Sequence, residues 1–350
     1  MPYIKKQPNP NFQEPVFIPK TKIVDSGEIE GFGKWALDED GLLTIEGTGK
    51  MPDRYEIQFN GSWGRVMEKI KSVRIADTIT SIGDQAFDGC SSLKSISIPN
   101  SVTDIGYRAF WGCSSLKSIS IPNSVTSIGE YAFDYCSSLK SISIPNSVTD
   151  IGQSAFSGCS SLESISIPNS VTRICYAAFY GCSSLKSISI PNSVTDIRQS
   201  AFSGCSSLES ISIPNSVTRI CYAAFYGCSS LKSISIPNSV TDIRQSAFSG
   251  CSSLKSISIP NSVKSIEEYA FYGCESLKSI NLPNSVKSIK EFAFCGCESL
   301  QSIIIPKSVR DIGFSFDRCD SLKYVKMPEK FNRLFFKYGY GISKQYVEFY

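Results

Sequence analysis

The sequence predicts a β-rich α/β solenoid: a right-handed superhelix of parallel strands, one short strand per 23-residue coil, with a small β-rich cap at its amino end. Three observations predict it. Cys90, Cys113, Cys136, Cys159, Cys182, Cys205, Cys228, Cys251, Cys274 and Cys297 each follow the last by 23 residues, and Cys319 follows at 22. Each unit carries a run such as "LKSISI", whose period-two alternation and β-branched residues read as a strand with serines on its outer face. A lone unit has only about five large apolar side chains, too few to offset the ordering of its backbone. It therefore folds only by stacking on its neighbours, with like residues in continuous columns.

In chain order, residues 1–25 form an amino-terminal extension, 26–69 the β-rich cap, 70–330 about twelve repeat units, and 331–350 a carboxy-terminal cap. The opening "MPYIKKQPNPNFQEPVFIPK" contains no apolar core of signal-peptide type, so the compartment stays open. Trp35, Leu43, Ile45 and Trp63 are the expected cap core, shielding the open edge of the first coil. Within a unit, Leu93, Ile96 and Ile98 face inward from the strand. Pro99, lacking an N–H, ends it with Asn100 and Ser101. "SVTDI" is a second extended segment, with Val102 and Ile105 inward, and "GYRAF" is expected as a helical or 3₁₀ turn seating Ala109 and Phe110. The aromatic "FNRLFFKYGYGISKQYVEFY" is expected to cover Leu322 and Val325 of the last coil.

The unit "CSSLKSISIPNSVTDIGQSAF" resembles the 23-residue repeat of the BspA-like, Treponema-type leucine-rich repeat family in its Cys, Leu, Ile, Ile-Pro, Val, Ile-Gly and Ala-Phe positions. It departs from that pattern at Cys175, Cys221, Arg198 and Arg244, where a glycine is usual. The resemblance implies a non-enzymatic surface or secreted scaffold for adhesion or protein recognition. Its partner would be a host matrix protein or another cell-surface protein.

Charge and composition narrow the alternatives. Lys plus Arg is 35 against 32 for Asp plus Glu, a net +3 that gives no signal for nucleic acid. No run of 18 apolar residues is available to enter a membrane. The chain has no histidine, which removes the usual general base and every Ser-His or Cys-His nucleophile pair. Neither an enzyme nor a cofactor or metal site is expected. The column cysteines read as small buried side chains with S–H groups facing turn carbonyls, not as disulfides.

Two surfaces remain as candidates for ligand contact. Lys94, Lys117 and Lys140 edge a hydroxyl-rich strand face. The variable residues around Ala-Phe include Trp111, Tyr131, Tyr180, Arg198, Tyr226, Arg244 and Tyr272, of the types that dominate interfaces. Some of these aromatics must cover the Phe column, which leaves packing as the competing role. Asp104, Asp150, Asp196 and Asp242 read as a solvated column. A monomer is expected. A glycan bound through the aromatics, or an intracellular interaction module, are the alternative readings.

Overall fold

The computed structural model describes residues 21–54, 62–333 and 342–350. Most of the expected extension (1–25) and the middle of the expected carboxy-terminal cap (331–350) lie outside the described residues. The chain is a parallel-strand solenoid with a repeat of 23 residues per turn. In Ser118–Ser120 the serines are exposed and Ile119 is buried, and Ser141, Ile142 and Ser143 of the next coil pair in register with them. This ladder continues as an 11-stranded sheet to Val347–Phe349, whose Val347 pairs with Val325.

The second extended segment also forms a ladder, so each coil carries two strands and not one. Asp104–Ile105 and its equivalents are two-residue strands, held because Thr103 N–H donates to Thr80 O (2.8 Å) and Gly106 N–H to Ile82 O (3.0 Å). The ladder divides into a five-stranded and a seven-stranded sheet between Asp150–Ile151 and Arg173–Ile174. The break falls where the glycine column first gives way to another residue, Cys175. A Cβ on Gly129 would stand 2.6 Å from the carbonyl carbon of Gly106, so these coils touch backbone to backbone. Cys175 brings a Cβ to that position. The bond that Gly152 N–H makes to Ile128 O (2.9 Å) has no equivalent at Cys175 among the described residues.

The Ala-Phe segment is neither α-helical nor 3₁₀, contrary to the sequence expectation. Two residues in most coils take a left-handed conformation: a variable one, with φ of 51° at Arg108, 58° at Tyr131 and 52° at Ser154, and a usual glycine four residues on, with φ of 67° at Gly112. This turns alternate N–H groups toward the next coil: Arg108 to Glu130 O (2.9 Å), Phe110 to Ala132 O and Gly112 to Asp134 O (both 2.8 Å). A helix would have used those donors internally. Each coil is thus tied to the next on three sides.

Inside, the Phe rings from Phe87 to Phe316 stack with centroids 5.2 to 5.6 Å apart and nearly parallel planes. The column thiols face turn carbonyls, as the sequence suggested: Cys113 Sγ donates to Phe87 O (3.3 Å), and the pattern holds to Cys319 and Phe294 O (3.2 Å). The serine of each "PNS" turn is a further link, Ser124 Oγ donating to Val102 O at 2.6 Å.

At the amino end, β1 (Ile23–Ile29), β2 (Gly33–Asp38) and β3 (Leu42–Gly47) form an antiparallel sheet. Two short strands follow, β4 (Gly49–Lys50) and β5 (Ser72–Ile75), and β3 pairs parallel with β5, joining this sheet to the first coil. Trp35, Leu43, Ile45 and Trp63 are all buried there.

Candidate functional site

Because Ala and Phe of each turn point inward, the residues around them point out, and they are the ones that vary. Tyr180 and Tyr226 are each 50% exposed and Tyr272 is 39% exposed, on alternate coils of one column. Tyr176 and Tyr222 are exposed beside them. Arg198 and Arg244 come from the intervening coils. Arg198 Nη2 lies 4.0 Å from Asp196 and Arg244 Nη2 3.5 Å from Asp242, loose surface pairs that leave their donors available. A rigid stack therefore presents phenols in one column and guanidiniums in another, on alternate coils.

Trp111 and Tyr131 are placed differently, half-buried in a cluster around Arg108. The guanidinium carbon of Arg108 lies 5.3, 5.4 and 5.5 Å from the rings of Tyr107, Trp111 and Tyr131. Trp111 Nε1 donates to Asp134 Oδ2 (3.2 Å), and Gln153 Nε2 donates to the Tyr131 hydroxyl (2.6 Å). Burial pushes the Asp134 carboxyl above the usual range, against the opposing effects of Ser157, Trp111 and Arg108. Tyr135, 57% exposed, packs its ring edge-to-face on Trp111 at 6.0 Å. Sequence reasoning passed over Tyr135. Its signal was its place, since Gly112 and Gly158 occupy the same position in adjacent units and share its positive φ.

On the strand face, Lys94, Lys117 and Lys140 are exposed and form no ion pair among the described residues, whereas Lys186 pairs with Glu163 (3.2 Å) and Lys232 with Glu209 (2.6 Å). The middle of this face is thus compensated, whereas the coils that carry Lys94, Lys117 and Lys140 are not. The aspartate column is partly compensated, Arg173 Nη2 lying 3.7 Å from Asp150 and Arg219 Nη2 3.3 Å from Asp196. Among the described residues no cluster of metal-ligating side chains occurs, and no helix is long and apolar enough to cross a membrane.

These columns define the class of the molecule, a repeat scaffold displaying variable side chains on an invariant frame. Its family follows from comparison. The BspA type leucine-rich repeat region (6 copies) matches residues 66–184, 151–263 and 242–338, and the chain belongs to that family. It is similar to a leucine-rich repeat protein from Bacteroides ovatus, with 31% identity, TM-score 0.62, and coverage of 95% of this chain and 99% of that one. A leucine-rich repeat protein from Eubacterium ventriosum shows 28% identity over 82% of this chain and 93% of its own, at TM-score 0.49. A leucine-rich cell surface protein from Faecalibacterium prausnitzii shows 27% identity over 84% and 96%, at TM-score 0.40. No curated protein matches the chain.

Proposed function

We propose that this chain is a surface or secreted recognition protein whose turn face binds another protein. The observation that carries the reading is the alternation of exposed Tyr180, Tyr226 and Tyr272 with Arg198 and Arg244 along a rigid array. Tyr and Arg supply much of the energy at protein interfaces, and ordering them in advance lowers the entropic cost of association. Membership of the BspA type family supports a matrix or cell-surface protein as partner. Lys94, Lys117 and Lys140 add a basic strand face that steers an acidic partner by long-range attraction.

The test is binding of the full chain to a panel of immobilised matrix and cell-surface proteins, with fractionation of native cells to locate it. Tyr180→Ser, Tyr226→Ser and Tyr272→Ser combined should weaken binding by at least about tenfold with unchanged melting. Equal affinity of that variant for every partner captured would reject the turn face.

A further inference from the structure

A groove of about 520 Å³ runs along the carboxy-terminal coils, away from the tyrosine column. One side is the outward strand column, Ser258, Asn281 and Ile304. The other is the turn column, Asn238, Asn261 and Asn284. Pro260, Pro283 and Pro306 line it between, and Tyr350 also lines it at the carboxy-terminal coils. Its volume falls within the range of small-ligand sites.

Three features fix the chemistry of an occupant. The lining side chains themselves are uncharged, and Lys307, at the asparagine position of the next coil, stands with Lys326 at the groove's end. The carboxamides of Asn238, Asn261, Asn281 and Asn284 make no hydrogen bond with protein groups among the described residues, so each offers both donors and an acceptor outward. Tyr350 supplies an aromatic surface in a fixed place: its hydroxyl donates to Ile305 O (2.9 Å), and its backbone N–H donates to Met327 O (3.0 Å). Lys307 and Lys326 hold the ring further, with ammonium nitrogens 5.0 and 5.1 Å from its centroid.

We infer that this groove binds an extended neutral oligosaccharide lying along the solenoid axis, one sugar residue per coil, with Tyr350 at its end. Paired strands repeat every ~4.8 Å, close to the length of one pyranose unit in an extended chain. Successive asparagines therefore fall beside successive sugars. A carboxamide is matched to neighbouring hydroxyls, one accepting and one donating. Asn281 and Ile304 replace the serines found at this strand position in earlier coils, and Tyr350 is present only here, so the remainder of the asparagine column lacks these elements.

Titration calorimetry of the full chain with neutral trisaccharides tests this, using cellotriose, maltotriose and a mannotriose as probes. At least one should bind. The exposed changes Asn261→Ala and Asn284→Ala together should lower its affinity by about tenfold with unchanged melting. Tyr350→Phe removes the hydroxyl that anchors the ring and should weaken binding less than the asparagine pair. The turn-face tyrosine variant should bind the sugar normally, which separates this site from protein recognition. Absence of binding by all three probes at 10-millimolar order (~10 mM, near the weak limit of specific affinity), or binding indifferent to the asparagine changes, would overturn the assignment.

Discussion

The indole Nε1 of Trp63 donates to the carbonyl oxygen of Ala86 at 2.7 Å, where a preceding coil would have placed the N–H of a phenylalanine. Elsewhere Phe87 N–H donates to Ala109 O in the same way. The first coil exposes three such acceptors, and residues before it satisfy all three. Arg54 N–H donates to Asp84 O and Arg54 Nη1 to Asp88 O, both at 2.9 Å. The Trp63 ring also stacks on Phe87, 6.0 Å between centroids, extending the aromatic column by one member.

Trp63→Phe should therefore retain most of the stacking yet strand the buried Ala86 carbonyl, costing about 1–3 kcal/mol. Trp63→Ala loses the ring as well and should cost about 3–5 kcal/mol. Urea unfolding measures the total, and amide exchange should show the loss concentrated between Gly83 and Cys90. Uniform acceleration along the whole array would contradict an end-capping role.

This cap illustrates how far the sequence reaches. Trp63 read as an apolar cap residue because its burial follows from composition. The partner of its Nε1 did not, since nothing local to Trp63 or Ala86 marks the contact. The inward columns were legible because period-two alternation is repeated in every unit, and each copy sees the same environment. The Ala-Phe turn was misread as helical because its left-handed residue varies among Arg108, Tyr131, Ser154 and Ala177, none of which advertises a positive φ. Likewise Trp111 and Tyr180 occupy equivalent positions, but Arg108 and Asp134 draw the first into a cluster while the second faces solvent. Column membership was readable and neighbour chemistry across 23 residues was not.

The thiol column makes stability sensitive to alkali. Burial pushes Cys90, Cys205, Cys251 and Cys319 up to about 12, whereas an unfolded thiol titrates near ~8.5. Between those values the unfolded chain holds fewer protons than the folded one. The contribution is complete below the unfolded pKa and is lost as pH rises toward the folded one, by up to ~1.4 kcal/mol per pH unit for each thiol. Urea midpoints should fall between pH 8 and 9.5, and Cys205→Ala with Cys251→Ala should make that fall shallower. An unchanged slope would exclude these thiols as its source.

Gly129 and Cys175 occupy one column but different spaces. A Cβ at Gly129 meets Gly106 backbone at 2.6 Å, and backbone yields less readily than a side-chain tip. Gly129→Ala should destabilise by about 1–3 kcal/mol, while Cys175→Ala, which keeps a Cβ where one is already accommodated, should stay within about 0.5 kcal/mol. Chemical denaturation of the two variants decides it, and equal effects would show that the close approach at Gly129 can be relieved at little cost.

Asp134 is the acid most at odds with its surroundings. Its side chain is buried, Oδ1 has no hydrogen-bond partner, and desolvation raises its pKa despite Arg108 nearby. A folded pKa above the unfolded value means that the ionised form opposes folding at neutral pH. That penalty is relieved as pH falls through the folded pKa, because the native state then takes up the proton first. Asp134→Asn keeps an acceptor for Trp111 Nε1 and carries no charge, so it should melt higher than the parent at pH 7. The advantage should shrink as pH is lowered, once the parent carboxyl is itself neutral. Thermal melts of both proteins from pH 7 to pH 4 measure the difference directly, and a variant that melts lower at pH 7 would show that the Arg108–Asp134 attraction outweighs the cost of burial.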